Sequence, residues 1–377
     1  MTRRTATMMG LCSLLLLANP ACIATARLDT PLKTEPPLDP QAEDGLSFRS
    51  LCYHDVRDDL RASLREWPES TAVDTYDLVQ QFQWIRENGY HVVSLDAILA
   101  ARSGGPKLPP RALLLTFDDG YRSMYTRVFP LLRLFNYPAV IGLVGEWLLD
   151  EPDGRVFYGD KRVPRDRFLS WPQVREMVDS GLVEVASHSF RLHQGALGNP
   201  QGGMPPSAVT RIHNPLGRSY ESDAVYVARL RADLARSSDL IAWQTGRRPR
   251  VMIWPYGAYN MLGVGASAAE GMPITMTLDS GPNSPDQPLS QVRRALAFYN
   301  DKVTDLKWSL THQAAYQGAE IPLSRVVGVD LDSLYDPDPQ RQEQNVGALI
   351  ERIYRLHIKT VYLRAVSDAD GDGLAEA

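Results

Sequence analysis

Short apolar runs of strand length alternate along this chain with longer segments of helical periodicity, and no other feature restricts the fold as much. FRSLCYHDV (48–56), RALLLTF (111–117), PAVIGLV (138–144), LVEVASH (182–188), RPRVMIWPYG (248–257) and PITMTLDSG (273–281) read as strands. Between them, DTYDLVQQFQWIRENGY (74–90), YRSMYTRVFPLLRLF (121–135), SWPQVREMVDSG (170–181) and ESDAVYVARLRADLARSSDLIAWQTG (221–246) repeat apolar residues at helical spacing. Asp74 and Ser170 are expected N-caps, Pro172 sits in a first turn, and Gly89 and Gly181 are stops. Strands without polar alternation are buried on both faces, which points to a parallel sheet in an α/β fold. A (β/α) barrel, incomplete or distorted, is expected rather than an open doubly wound sheet. Neither a P-loop nor a GxGxxG follows any of these strands, so nucleotide binding is disfavoured.

A parallel barrel gathers its chemistry at the C-terminal ends of its strands. Polar clusters fall there: His54, the adjacent pair Asp118 and Asp119, His188, Tyr256 and Asp279. Two adjacent carboxylates repel, and burying either is costly without a positive partner. They therefore mark either a solvated turn or a metal site. His188 and His193 stand five apart. On a helix that spacing would rotate them by about 140°, so they converge only in a loop or a first turn. Two imidazoles and a carboxylate are a common ligand set for a catalytic divalent metal.

Residues 1–26 read as a secretory signal: Arg3 and Arg4, an apolar stretch from Met8 to Ala18, and the small-residue pattern Ala24-Thr25-Ala26. A lipid-modified Cys22 is the alternative, and contact with a membrane is expected only in that case. Residues 27–45 are Pro-rich and polar, a tether. A main domain is expected over 46–320. From 325 the pattern restarts as strand, loop, helix and strand, which reads as the truncated start of a second barrel over 325–377. Of three cysteines only Cys52 lies clear of the signal, so no disulfide framework is available. The formal net charge of -5 and the lack of a Lys/Arg stripe argue against a nucleic-acid binder.

TFDDG (116–120), SHSFRLH (187–193) and WPYG (254–257), in this order, resemble the polysaccharide deacetylases, carbohydrate esterase family four. LCYHDV (51–56) placed ahead of TFDDG is similar to the circularly permuted branch, the poly-β-1,6-N-acetyl-D-glucosamine N-deacetylases of Gram-negative biofilm export systems. The resemblance covers roughly residues 48–315, and the segment from 325 resembles the opening of that branch's glycoside-hydrolase-like barrel.

The resemblance implies a metal held by Asp119, His188 and His193, one divalent ion with Zn, Co, Ni and Fe not distinguished. It implies Asp118 as the base, His54 as the acid for the departing amine, and the Tyr256 backbone N–H as an oxyanion donor. The implied protein is an exported periplasmic hydrolase acting on an N-acetylglucosamine polymer beside outer-membrane export machinery. A non-catalytic polysaccharide-binding scaffold, or a deacetylase of peptidoglycan or chitin, is the alternative.

Two departures from the family pattern stand out. The histidines are five apart where most of the family uses four, and Trp254 stands where many relatives place Arg. The arginine that orients the base is thus unassigned, with Arg250 nearby. Asp279 is the candidate to tune the catalytic histidine. Tyr53 and Trp254, with Trp147 and Trp171, are candidates for a sugar-stacking floor, although burial is the commoner fate of such rings.

Overall fold

The structure is a computed structural model. It describes residues 44–364 apart from 68, 150–152, 160, 201, 280, 299–300, 316–325, 332–333, 356–357 and 359. The expected signal, Cys22 and nearly all of the tether lie outside the described residues.

Eight strands make the principal sheet: β1 (Arg49–Tyr53), β2 (His91–Val92), β3 (Ala112–Phe117), β4 (Ala139–Leu143), β5 (Val183–Ser187), β6 (Val251–Ile253), β7 (Ile274–Met276) and β8 (Ala295–Leu296). Every pairing is parallel, in the order β7-β6-β5-β4-β3-β1-β8, with β2 alongside the start of β3. The two ends of this order meet through one short segment. Val292 N donates to Thr275 O and Val292 O accepts from Thr277 N, both at 2.8 Å, while Ala295 and Leu296 pair with Leu51 and Cys52. Val292–Leu296 therefore joins β7 to β1, and the curled sheet closes as a distorted (β/α) barrel.

The strands are buried on both faces, as their continuous apolar runs require. On β3, Leu113, Leu115 and Phe117 belong to the larger core cluster, which includes Leu78, Phe82 and Ile85 of helix α1 (Thr75–Glu87). Leu114 belongs to a second cluster with Val140, Ala186, Val251 and Ile253 of the neighbouring strands. Burying each such aliphatic side chain contributes about 1.5–3 kcal/mol, so this double burial is the main stabilising term. Because side chains alternate along a strand, Leu114, Thr116 and then Asp118 share one face. The aspartate thus continues an interior row.

The helices include α1, α2 (Leu95–Arg102), α3 (Phe129–Phe135), α4 (Trp171–Asp179), α5 (Asp223–Thr245), α6 (Met261–Ala269) and α7 (Val303–Ala315), of which α1, α3, α4 and α5 lie in the four segments of helical periodicity. Asp74 caps α1 by accepting from Tyr76 N at 2.8 Å, and Ser170 with Gln173 forms a capping box on α4. A π-type turn over Met124–Val128 precedes α3, so the helix expected over 121–135 is divided. The loop expected over 195–222 contains a short antiparallel pair, His213–Asn214 with Ser219–Tyr220. Beyond residue 325, β9 (Val326–Asp330), α8 (Pro339–Arg355) and β10 (Thr360–Arg364) form a parallel β-α-β unit with its own two-stranded sheet.

Candidate metal centre and active site

The turn after β3 places the two aspartates. Asp119 and Gly120 both adopt left-handed backbone, at φ 74° and 70°. A regular strand would send consecutive side chains to opposite faces, and this turn removes that constraint. A Cβ on Gly120 would lie 2.9 Å from Leu143 Cδ2, so the turn has no room for a larger residue.

Asp119 faces the two histidines that follow β5. His188 Nε2 and His193 Nε2 each stand 3.2 Å from Asp119 Oδ1, and one ligand atom from each of the three residues lies within 4.8 Å of the others. His188 Nδ1 lies 2.8 Å from the Ile253 carbonyl. That carbonyl can only accept, so Nδ1 carries the proton and Nε2 turns its lone pair toward Asp119. Asp119 Oδ1 is buried and accepts no hydrogen bond among the described residues. A carboxylate oxygen and an imidazole lone pair at that distance repel unless a proton or a metal cation lies between them. The donor set and the orphaned oxygen therefore fit a divalent metal.

Burial by itself would push the Asp119 carboxyl up, but His193 and His188 outweigh it and hold the group well below the usual carboxylate range. Burial would likewise depress His188, and Asp119 and Asp118 reverse it, so the imidazole is raised.

Asp118 is buried beside this cluster and gripped by a residue the sequence left unassigned. Arg294 Nη1 lies 2.7 Å from Asp118 Oδ1 and Nη2 2.9 Å from Oδ2, a bidentate pair. Its Nε donates to Thr277 O at 3.0 Å and Nη1 to Thr116 Oγ1 at 3.0 Å. Burial raises the Asp118 carboxyl, yet the guanidinium overrides that and brings it down to about 2. The carboxylate is ionised at neutral pH. Cys52 Sγ adds a 3.3 Å contact to Oδ2, and burial pushes that thiol well up, so it stays protonated.

His54 follows β1, and its ring belongs to a group with Cys52 and Asp118 whose ligand atoms lie within 4.8 Å of one another. Tyr256 follows β6 with left-handed backbone at φ 59°, and its half-exposed ring stands 4.4 Å from that of His193. All six principal site residues expected from the sequence thus come together at the C-terminal ends of the strands.

The four secondary candidates do not join them. Arg250 precedes β6, at the other end of the strand, and is paired to Glu184 at 2.8 Å and to Asp96 at 2.5 Å. Arg294 is the arginine that holds Asp118 instead. Asp279 is exposed and accepts from the Tyr259 hydroxyl at 2.7 Å, while His54 Nδ1 has no hydrogen-bond partner among the described residues. Among the described residues, Asp279 therefore makes no hydrogen bond to that nitrogen. Tyr53 is 1% exposed, stacks on Phe117 and donates to Gln81 Oε1 at 2.6 Å. Trp254, also 1% exposed, belongs to a core cluster with Leu192, Tyr226 and Val264. Trp147 and Trp171 are buried as well, so these rings are core and form no stacking floor.

Residues 105–277 match the family described as polysaccharide deacetylase, and residues 328–377 match one described as hypothetical glycosyl hydrolase family 13. The deacetylase domain of BpsB from Bordetella bronchiseptica is 48% identical, covers 70% of this chain and 98% of its own, and superposes with a TM-score of 0.62. The chain belongs to the polysaccharide deacetylase family. A second family member, the de-N-acetylase of Aggregatibacter actinomycetemcomitans, is 36% identical over 70% of this chain and 99% of its own, with a TM-score of 0.64. The poly-β-1,6-N-acetyl-D-glucosamine N-deacetylase of Escherichia coli K12 is 36% identical over 358 residues, 94% of this chain and 52% of that protein. This polysaccharide deacetylase chain spans about half the length of the curated relatives it matches.

Proposed function

We propose that the chain is a metal-dependent hydrolase that removes N-acetyl groups from a poly-β-1,6-N-acetyl-D-glucosamine chain. The observation that carries the reading is the pairing of an ionised Asp118, fixed by Arg294, with His54 beside the Asp119–His188–His193 cluster. The named activity of the similar proteins supports the substrate.

An amide is a weak electrophile with a poor leaving group. A divalent ion held by Asp119, His188 and His193 would supply Lewis-acid polarisation of the carbonyl and a lowered water pKa. Asp118, acceptor-only and ionised, takes a proton from the attacking water through a carboxylate oxygen. His54 delivers a proton to the amide nitrogen as the carbon–nitrogen bond breaks. The backbone N–H of Tyr256 is the donor for the developing oxyanion. Acetate and a free amine on the sugar are the products.

The reading extends to an exported periplasmic protein working beside export machinery in exopolysaccharide maturation. It treats 325–377 as the start of a second barrel. The apolar segment near the N-terminus and the family matches support these parts.

The test is acetate release from β-1,6-linked N-acetylglucosamine oligomers after chelation and after adding back Zn²⁺, Co²⁺ or Ni²⁺. Release that metal restores in the wild type but not in Asp118→Asn or Asp119→Asn is the expected result. Oligomer binding without release under any metal would replace the enzyme by a scaffold. Release from chitin or peptidoglycan oligomers alone would move the substrate.

A further inference from the structure

The two histidines of the centre stand five positions apart, so a continuous helix would not present both on one face, and the four residues between them must satisfy their amides some other way. The His188 amide donates to the Leu143 carbonyl at 2.9 Å and the Ser189 amide to Ser187 Oγ at 3.1 Å. Phe190 N and Arg191 N donate to Asp233 Oδ1 and Oδ2, both at 2.8 Å, and Leu192 N donates to Ser189 Oγ at 2.9 Å. None of these is a helical bond to the residue four back. Two of them end on one carboxylate contributed by α5.

The same helix face reaches the loop at three further points. Ser237 Oγ shares a 2.7 Å hydrogen bond with Ser187 Oγ, the atom that receives the Ser189 amide. The Arg236 guanidinium lies 3.7 Å from the centre of the Phe190 ring. Leu240 packs toward Gly145, whose amide donates to Ser189 O at 3.0 Å. Positions 233, 236, 237 and 240 follow the three-and-four spacing of one helical stripe. Ser189 itself sits at φ 74°, a conformation that a serine holds only when its surroundings enforce it.

We propose that Asp233 and Ser237 are positioning residues for the metal centre: from α5 they fix the turn that aims His188 and His193 at Asp119. The proposal rests on the reading of those three residues as a metal site. The carboxylate is the group the turn needs, because it offers acceptors to two adjacent amides at once. Asparagine keeps one acceptor and turns an NH₂ against the other N–H. A shape-conserving change therefore disturbs the turn while leaving the helix and its packing in place. Burial also raises the Asp233 carboxyl to about 6, so its charge is carried at a cost in stability.

The experiment titrates Zn²⁺ and Co²⁺ calorimetrically into the metal-free full chain, with the apo melting temperature measured on the same samples. Wild type is compared with Asp233→Asn, Ser237→Ala and Asp239→Asn, the last changing a solvent-facing partner of Arg248 on the same helix. The expected result is metal binding at least tenfold weaker in Asp233→Asn, in samples whose apo form is still folded and melts cooperatively. Ser237→Ala is expected to weaken binding severalfold, and Asp239→Asn not at all. Unchanged affinity in both Asp233→Asn and Ser237→Ala overturns the proposal. So does a loss of affinity that appears only in samples whose apo form has already melted. A wild type that binds neither ion overturns the metal centre itself, and the clamp with it.

Discussion

Arg294 reaches Asp118 from the segment that closes the barrel, and this contact lets one side chain decide the charge of another. Replacing it by alanine leaves a buried carboxylate without a counter-charge, at a cost of about 3–5 kcal/mol. Arg294→Ala is expected to unfold at distinctly lower denaturant and to lose acetate release by at least a hundredfold. Arg294→Lys keeps the charge but not the fork, and its stability is expected to fall between the two. The pH dependence has a fixed sign. Asp118 is depressed from 3.8 to about 2, so its contribution is present above 3.8 and disappears as the pH falls through about 2. That contribution is ~2 kcal/mol. Acid unfolding followed by circular dichroism should show a shallower dependence below pH 4 in Arg294→Ala. Nothing in the sequence announced this residue. It stands in QVRRALAF beside Arg293, ahead of a strand of only two residues, too short for a periodic signal. Asp119 and His188 were legible because each directly follows a long apolar strand run, and His193 joined them through the family resemblance.

Strand β4 contributes no side chain to the chemistry, but its Gly142 makes room for it. A Cβ there would lie 3.0 Å from Ile253 Cδ1, 3.4 Å from His188 Cβ and 3.6 Å from Asp118 Oδ1. Gly142 is not at a positive φ, so alanine is tolerated by the backbone and felt only by these neighbours. Gly142→Ala is expected to keep the fold while lowering kcat more than it raises KM, measured on the oligomer substrate. At helix α5, Asp233 gives the opposite pH signature to Asp118. Its carboxyl is raised from 3.8 to about 6, so its favourable contribution is present below 3.8 and lost as the pH rises through about 6. The difference at neutral pH is ~3 kcal/mol. Wild-type melting temperature should therefore fall as the pH rises from 4 to 8, and Asp233→Asn should lack that part of the fall. The helix itself was plain from its spacing and from Gly246, which ends it at φ 72°. Its inward face was not, because Asp233 and Ser237 sit in a stretch of charged and small residues that reads as a solvated surface.

Across the molecule, the three candidate ligands come from the ends of two strands separated by β4 in the sheet. A bound ion would tie those ends together and bind only the folded chain. At metal one hundred times its Kd the stabilisation is about 2.7 kcal/mol. The melting temperature should rise with added Zn²⁺ and fall back with chelator, and Asp119→Asn should abolish the shift. The α/β class and barrel were legible because buried parallel strands cannot be written with polar alternation. The ring's closure was not, because Val292–Leu296 has no run long enough to stand out.

That closing segment also sets an order of events. A chain appearing from its N-terminus places Asp118 long before residue 294 exists to neutralise it. Until Val292–Leu296 docks between β7 and β1, the base is a carboxylate that does best in water, and the strand carrying it gains little from closing over it. The Arg294 contact to Asp118 and the closure of the barrel thus depend on one and the same segment. A molecule stopped short of Arg294 keeps Asp119, His188 and His193 and lacks the contact that holds Asp118 ionised.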